Sequence, residues 1–325
     1  MNSQRLEPTT PTTVEALLGG VIVPTLAPFE EDDQIMRQSI ADQASRLARI
    51  EGIVGIAVST TIRERQSLSL AERLAVIEYT RKGLAPKQLV LACVGDLSRD
   101  VEEEVAASKD AGADAVITFP PTWRNGSESS ELGTHSVRLT ELVDRMPLPI
   151  IAALSEGNTA DDGQVREIAL LGRDGGKVVS VATENHDNAL QYDEVNKVFK
   201  AVYQPLACLT TSKDELVHDL NTGADAVISC LAYIAPHEVA ELYRTTRSGR
   251  FQEAQVLHKR LSPFTELISC IGQVKREMVL RQIVHRRGLL ASTYARDLPE
   301  TLGYSLARKI ERTLNETALT RIAWV

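Results

Sequence analysis

The apolar run VVSVAT, which starts at Val178, is followed at once by Glu184, Asn185 and His186. A carboxylate and an imidazole two residues apart suit acid and base work, because histidine titrates near neutrality and a neighbouring carboxylate tunes it. The same residues, with Asp187, equally suit the first turn of a helix, where acids and caps meet unpaired N–H groups. Lys213 follows another apolar run, PLACLT, and offers a nucleophilic amine or a cation for a carboxylate; the competing reading is a solvated loop lysine. Glu184, His186, Asp96 and Asp214 could in principle ligate a metal, but no pair among them has a diagnostic spacing, so no metal is expected. Glu64, between Arg63 and Arg65, reads as a surface ion-pair cluster. His135, His218, His237, His258 and His285 fall in helical patterns and read as structural.

What these groups can do depends on the elements that hold them. The chain has 325 residues, 43% hydrophobic and 25% charged, which is ordinary for a globular protein with a sizeable core. Its net charge is -8 and it has no basic run interleaved with aromatics, so a nucleic-acid or anionic-membrane footprint is missing and a small molecule is the better partner. The four cysteines, Cys93, Cys208, Cys230 and Cys270, form no C-x-x-C pair, which argues against a zinc site or a disulfide framework and fits a cytoplasmic protein. No run reaches the roughly 18 apolar residues of a membrane span. Residues 1–18 lack the basic start and apolar core of a leader and read as a flexible tail. No cofactor is implied.

The word GADAVI occurs twice, at 112–117 and 223–228, each time after an amphipathic stretch, and GIVGIAV at 52–58 is a degenerate third copy. Each reads as a helix ended by a left-handed glycine and followed directly by a buried strand. Eight short Val/Ile-rich runs begin at residues 20, 53, 89, 114, 148, 178, 205 and 225, with helical periodicity between them. Ser69 and Asp100 stand as N-cap candidates. Strands buried on both faces and alternating with helices predict a parallel sheet, and eight units predict an α/β fold closed as a (β/α)8 TIM barrel over residues 19–248. Only helical patterns follow, giving a C-terminal helical region over 249–325. Chemistry in such a barrel belongs at the carboxyl ends of the strands. That places Thr60, Thr61, Asp96, Trp123, Asn158, Glu184, His186, Lys213 and Tyr233 at its mouth.

Four segments carry a more specific likeness: VPTLAPFEEDD (23–33), VSTTIRERQSLSLAER (58–73), AGADAVITFPPTW (111–123) and DELVHDLNTGADAVISCLAYIAP (214–236). In order and spacing they resemble the dihydrodipicolinate synthase and N-acetylneuraminate lyase family, over roughly residues 19–320. The resemblance implies a homodimeric or homotetrameric barrel lyase, of aldolase or dehydratase type, acting on a small oxo acid or related carboxylate without a cofactor. It implies that Thr60 and Thr61 bind substrate carboxylate and pass protons, or else cap the next helix, and that Trp123 stands where relatives carry a tyrosine reaching across a dimer. It also implies a Schiff-base lysine at the end of strand 6 and a relay tyrosine near the end of strand 5, and these positions fall on Ala182 and Ala153. Alanine has no nucleophile and no transferable proton. Lys177 starts the same strand, about 16 Å away towards the opposite face, at about 3.3 Å per residue. The arginine that lysine-pathway relatives use for a second carboxylate falls on Asn158, which weakens aspartate semialdehyde as a substrate. The glycines flanking the two threonines are replaced by Ser59 and Ile62.

Two functions follow. One is a lyase working by acid-base chemistry without a Schiff base at Ala182, with Glu184, His186 and Lys213 as catalytic candidates and Thr60, Thr61 and Trp123 as substrate-binding ones. The other is a non-catalytic small-molecule-binding or interaction protein built on the same barrel.

Overall fold

A computed structural model describes residues 19–94, 100–119, 131–154, 167–168, 170–172, 177–183, 207–212, 215–269, 271–296, 298–299 and 302–322. Eight strands close a parallel barrel in sequence order: β1 Val21–Pro24, β2 Ile53–Val58, β3 Leu89–Val94, β4 Ala115–Thr118, β5 Ile150–Leu154, β6 Val178–Thr183, β7 Ala207–Thr210 and β8 Ala226–Ile228. All eight lie on the apolar runs expected to form strands. Around and beyond them run α1 Arg37–Ala48, α2 Ile62–Ser67, α3 Leu70–Gly83, α4 Val101–Asp110, α5 Glu131–Leu142, α6 Leu216–Thr222, α7 Cys230–Ile234, α8 Pro236–Arg247, α9 Phe251–Ser269, α10 Gln273–Arg286 and α11 Tyr304–Glu316. No helix among the described residues is long and apolar enough to cross a membrane.

The alternation of side chains along each strand sorts them into two cores. Ile22, Leu91, Ile117, Ile151 and Leu209 fill the barrel together with the small residues Ala57, Cys93, Ala115, Ala153, Ala182 and Ala226. Val23, Ile56, Val90, Val116, Ile150, Val181 and Val227 belong instead to the core under the helices. In β6, Ser180 and Ala182 share the inner face by alternation, and Val179 is expected with the outer set. Val179 packs with the inner cluster instead. The cause is one extra residue: Ile150 pairs with Val178 but Ile151 with Ser180, so the alternation slips at Val179.

The repeated word has a physical role at both of its occurrences. Gly112 and Gly223 have φ of 105° and 117°, and Gly52 of the degenerate copy has 93°, the left-handed turn that ends a helix and starts a strand. Two residues on, Asp114 accepts the Val90 N–H at 2.8 Å and Asp225 accepts the Cys208 N–H at 2.8 Å. Each aspartate thereby ties its strand to the preceding one. At the N-terminus of α3, Ser69 and Glu72 form a complete capping box. Asp100 precedes α4 but makes no side-chain cap bond.

Candidate active site at the barrel mouth

The carboxyl end of β2 gives the clearest view of the mouth. Ser59 adopts φ of 56°, a left-handed conformation rare for a residue with a Cβ, so the backbone keeps the shape for which the resemblance predicts glycine. Thr61 then starts α2 as its N-cap, its hydroxyl accepting the Glu64 N–H at 3.1 Å. Thr60 stays partly exposed, and its carbonyl accepts a bond from Arg65.

The turn reverses the expected placement of Glu64. Far from forming a surface cluster, its side chain is 2% exposed, and one carboxyl oxygen accepts the Ala27 N–H at 2.5 Å. The other oxygen, Oε2, has no hydrogen-bond partner among the described residues. Burial pushes the carboxyl up to about 7, against the pull of the nearby Arg281 guanidinium and the Ala27 N–H. Arg281 is 1% exposed and donates to Glu277 at 3.2 Å and to the carbonyls of Ala27 and Tyr294 at 3.1 and 3.3 Å. Arg63 approaches the far oxygen of Glu277 at 3.6 Å. Arg63 and Glu64 thus both lie beside the buried Glu277 and Arg281 pair of α10, and no ion pair forms among the three residues themselves.

Arg65 is the one of the three that turns to the barrel. Its Nη1 donates to the carbonyls of Ser59 and Thr60 at 2.9 and 3.1 Å, and its guanidinium lies 4.5 Å from the centre of the Phe119 ring. Phe119 follows β4 and packs against the inner cluster. Cys93, an inner-face residue of β3, interacts electrostatically with the same guanidinium. Burial pushes the Cys93 thiol up to about 12, so it is protonated near neutrality and is no thiolate nucleophile.

Across the mouth, Ala153 of β5 and Ala182 of β6 are direct register partners, and Ala182 pairs onward with Leu209. Both alanines belong to the inner cluster, 6% and 3% exposed. Neighbouring strands lie about 4.8 Å apart, so the two positions form one patch of wall bearing a single carbon each. Lys177 is exposed, just ahead of β6 at the opposite end of the strand. Tyr233 is withdrawn from the mouth: it is fully buried, with its hydroxyl 3.0 Å from both the amide nitrogen and the amide oxygen of Gln43. Trp123, Asn158, Glu184, Asn185, His186 and Lys213 lie outside the described residues, as do Asp96 and Asp214. Among the described residues no group of three or more His, Cys, Asp or Glu could hold a metal ion.

Sequence reasoning missed Glu64 and Arg65, although two signals pointed to them. Thr61 and Glu64 are spaced as a cap and its third residue, which makes Glu64 part of a helix start. Two arginines also flank one acid, so the run cannot pair itself off.

Comparison with known proteins agrees with this architecture. The model of the dihydrodipicolinate synthetase family matches residues 17–316. A 4-hydroxy-tetrahydrodipicolinate synthase of Methanopyrus kandleri is 28% identical over 246 residues, 75% of this chain and 79% of that protein. An uncharacterized DapA-like lyase of Thermococcus onnurineus is 28% identical over 266 residues, 81% of this chain and 88% of its own length. Among solved structures, YagE, a prophage protein of the dihydrodipicolinic acid synthase family from E. coli K12 in complex with pyruvate, superposes with a TM-score of 0.81 at 19% identity, covering 94% of this chain and all of the other. N-acetylneuraminate lyase from Mycoplasma synoviae gives 0.76 at 13% identity, over 93% and 98% of the two chains. With the closed barrel, the threonine-bearing turn after β2 and a family match spanning nearly the whole length, the chain belongs to the dihydrodipicolinate synthetase family.

Proposed function

We propose that the protein is a divergent lyase of this family, of aldolase or dehydratase type, acting on a small oxo acid without forming a Schiff base at the end of β6. The paired alanines carry the reading: Ala153 and Ala182 face the barrel interior side by side, where the resemblance calls for a relay tyrosine and an amine. Neither can form an imine or move a proton. Charge that develops on a substrate oxygen during carbon–carbon or carbon–oxygen cleavage must then be met by hydrogen-bond donors and cations, not drained into an imine. The turn at Thr60 and Thr61 is the proposed seat of the substrate carboxylate, and Trp123 a proposed substrate-binding residue. Glu184 and His186 are the proposed acid and base, and Lys213 the proposed second cation.

Borohydride reduction in the presence of pyruvate tests the central point. The expected result is no lysine adduct by mass spectrometry; a reduced adduct at any lysine, Lys213 above all, defeats it. For an active enzyme, His186→Ala and Glu184→Gln each lower kcat by about 100-fold or more. The same two alanines also favour a non-catalytic binding protein. Saturable ligand binding with no turnover across a panel of oxo acids decides for that second reading.

A further inference from the structure

The half-buried Arg65 has no carboxylate within ion-pair distance among the described residues, although acids lie close by. Glu64, its chain neighbour, turns away to the Ala27 N–H. Glu104 is engaged by Arg73, at 3.0 Å from both Nε and Nη2. Cys93 is protonated near neutrality and brings no charge. Among the described residues only Nη1 of the guanidinium nitrogens bonds to protein, and both of its acceptors are neutral carbonyls. Nε and Nη2 remain as donors without a partner among the described residues.

A half-buried charge with no carboxylate at ion-pair distance among the described residues is costly, and burial accordingly pulls the Arg65 guanidinium below its ordinary value. The group is nevertheless held firmly: two carbonyls fix one nitrogen, and the Phe119 ring supports the face at 4.5 Å. A rigid planar fork with its remaining edge unused is the geometry that takes a carboxylate through two parallel N–H bonds. Its place is the barrel mouth, because Phe119 and Cys93 both belong with the inner wall.

We propose that Arg65 forms an anion site at the mouth of the barrel that holds the carboxylate of a small organic acid. The choice of a carboxylate rests on the function proposed above; the site itself rests on the guanidinium's supports and its lack of a carboxylate partner among the described residues. Arg65 belongs to α2 but its guanidinium reaches back to the Ser59 and Thr60 carbonyls, so it adds a cation beside the turn proposed above as the seat of the carboxylate. It also explains why two arginines flank a single glutamate in this turn.

Binding is read by calorimetry on the full chain with pyruvate, its neutral methyl ester and inorganic phosphate as probes. The unmodified protein is expected to prefer pyruvate to the ester, and Arg65→Met, which keeps an aliphatic stem on Phe119, to weaken pyruvate binding by at least about tenfold and abolish the preference. Arg65→Lys keeps the charge without the fork and is expected to fall between the two. Pyruvate binding unchanged in Arg65→Met overturns the proposal, as does phosphate displacing pyruvate at lower concentration than pyruvate displaces phosphate. A second measurement needs no variant: pyruvate, but not its ester, is expected to slow phenylglyoxal modification of Arg65, and no protection overturns the site. These outcomes are independent of turnover and of borohydride trapping, so the anion site and the reaction class fail separately.

Discussion

At the scale of single residues, Glu64 sets the most distinctive expectation. Its carboxyl titrates near 4.5 when unfolded and about 7 when folded, so the folded chain binds the proton more tightly. Stability contributed by the protonated form is therefore complete below about 4.5, declines as pH rises towards 7, and is absent above that. Glu64→Gln keeps an acceptor for the Ala27 N–H and removes the titration. It is expected to raise stability at pH 8 by roughly 3 kcal/mol relative to its effect at pH 4.5, from urea unfolding at the two values. A variant with the same pH slope as the parent chain contradicts this. The residue scale is also where sequence reasoning was weakest. Ala182 could be placed on the inner wall, because alternation within a strand is local. Glu64 could not be placed, because its hydrogen-bond partner is 37 positions away and the cation that acts on it most strongly sits on α10. Val179 failed for a related reason: an extra residue in a ladder is decided by the neighbouring strand.

The elements tell a more favourable story. Each strand could be read from its Val/Ile-rich run because strands covered on both faces need no polar side. The helices with several turns showed their period; α2 and α7, six and five residues long, are too short to show one, and only the capping alternative for Thr60 and Thr61 pointed to a helix start after β2. Caps were legible where side-chain chemistry and spacing agree, as at Ser69 with Glu72, and misleading at Asp100, whose φ of -98° and ψ of 6° do not aim its carboxyl at the helix N–H groups. The capping box makes a specific prediction. Ser69→Ala removes one of its two reciprocal bonds and is expected to cost about 1 kcal/mol in chemical unfolding, with Ser69→Asp recovering most of it. A loss below a few tenths of a kcal/mol contradicts the assignment. Glu72 also binds Arg296 from beyond α10, holding the Glu72 carboxyl down to about 2. Glu72→Ala is therefore expected to cost more than Ser69→Ala.

For the whole molecule, the helices that follow the barrel are joined to it by polar groups, buried at Arg281 and partly buried at Arg287, as well as by apolar packing. Arg281 of α10 reaches the Ala27 carbonyl beyond β1, and Arg287 donates to the Ile234 carbonyl at 3.0 Å and the Thr320 carbonyl at 2.7 Å. Thr320 also donates its N–H to Glu238 of α8 at 2.6 Å. Replacing Arg281 by Met leaves Glu277 buried without its closest cation and deprives Glu64 of the charge that restrains its rise. The expected loss is roughly 3–5 kcal/mol, larger at pH 8 than at pH 5, where the Glu64 carboxyl is protonated and no longer needs the cation. A loss that is equal at both pH values points to packing alone.

The aspartates that follow Gly112 and Gly223 have a consequence for the ring as a whole. They sit at β4 and β8, four strands apart in either direction around a ring of eight, and each reaches back to the strand before it. The barrel thus carries an approximate twofold relation in its wiring, visible in a repeated six-letter word. Register at these two joints is fixed within a single strand–helix–strand unit, by a bond that involves no other strand of the ring.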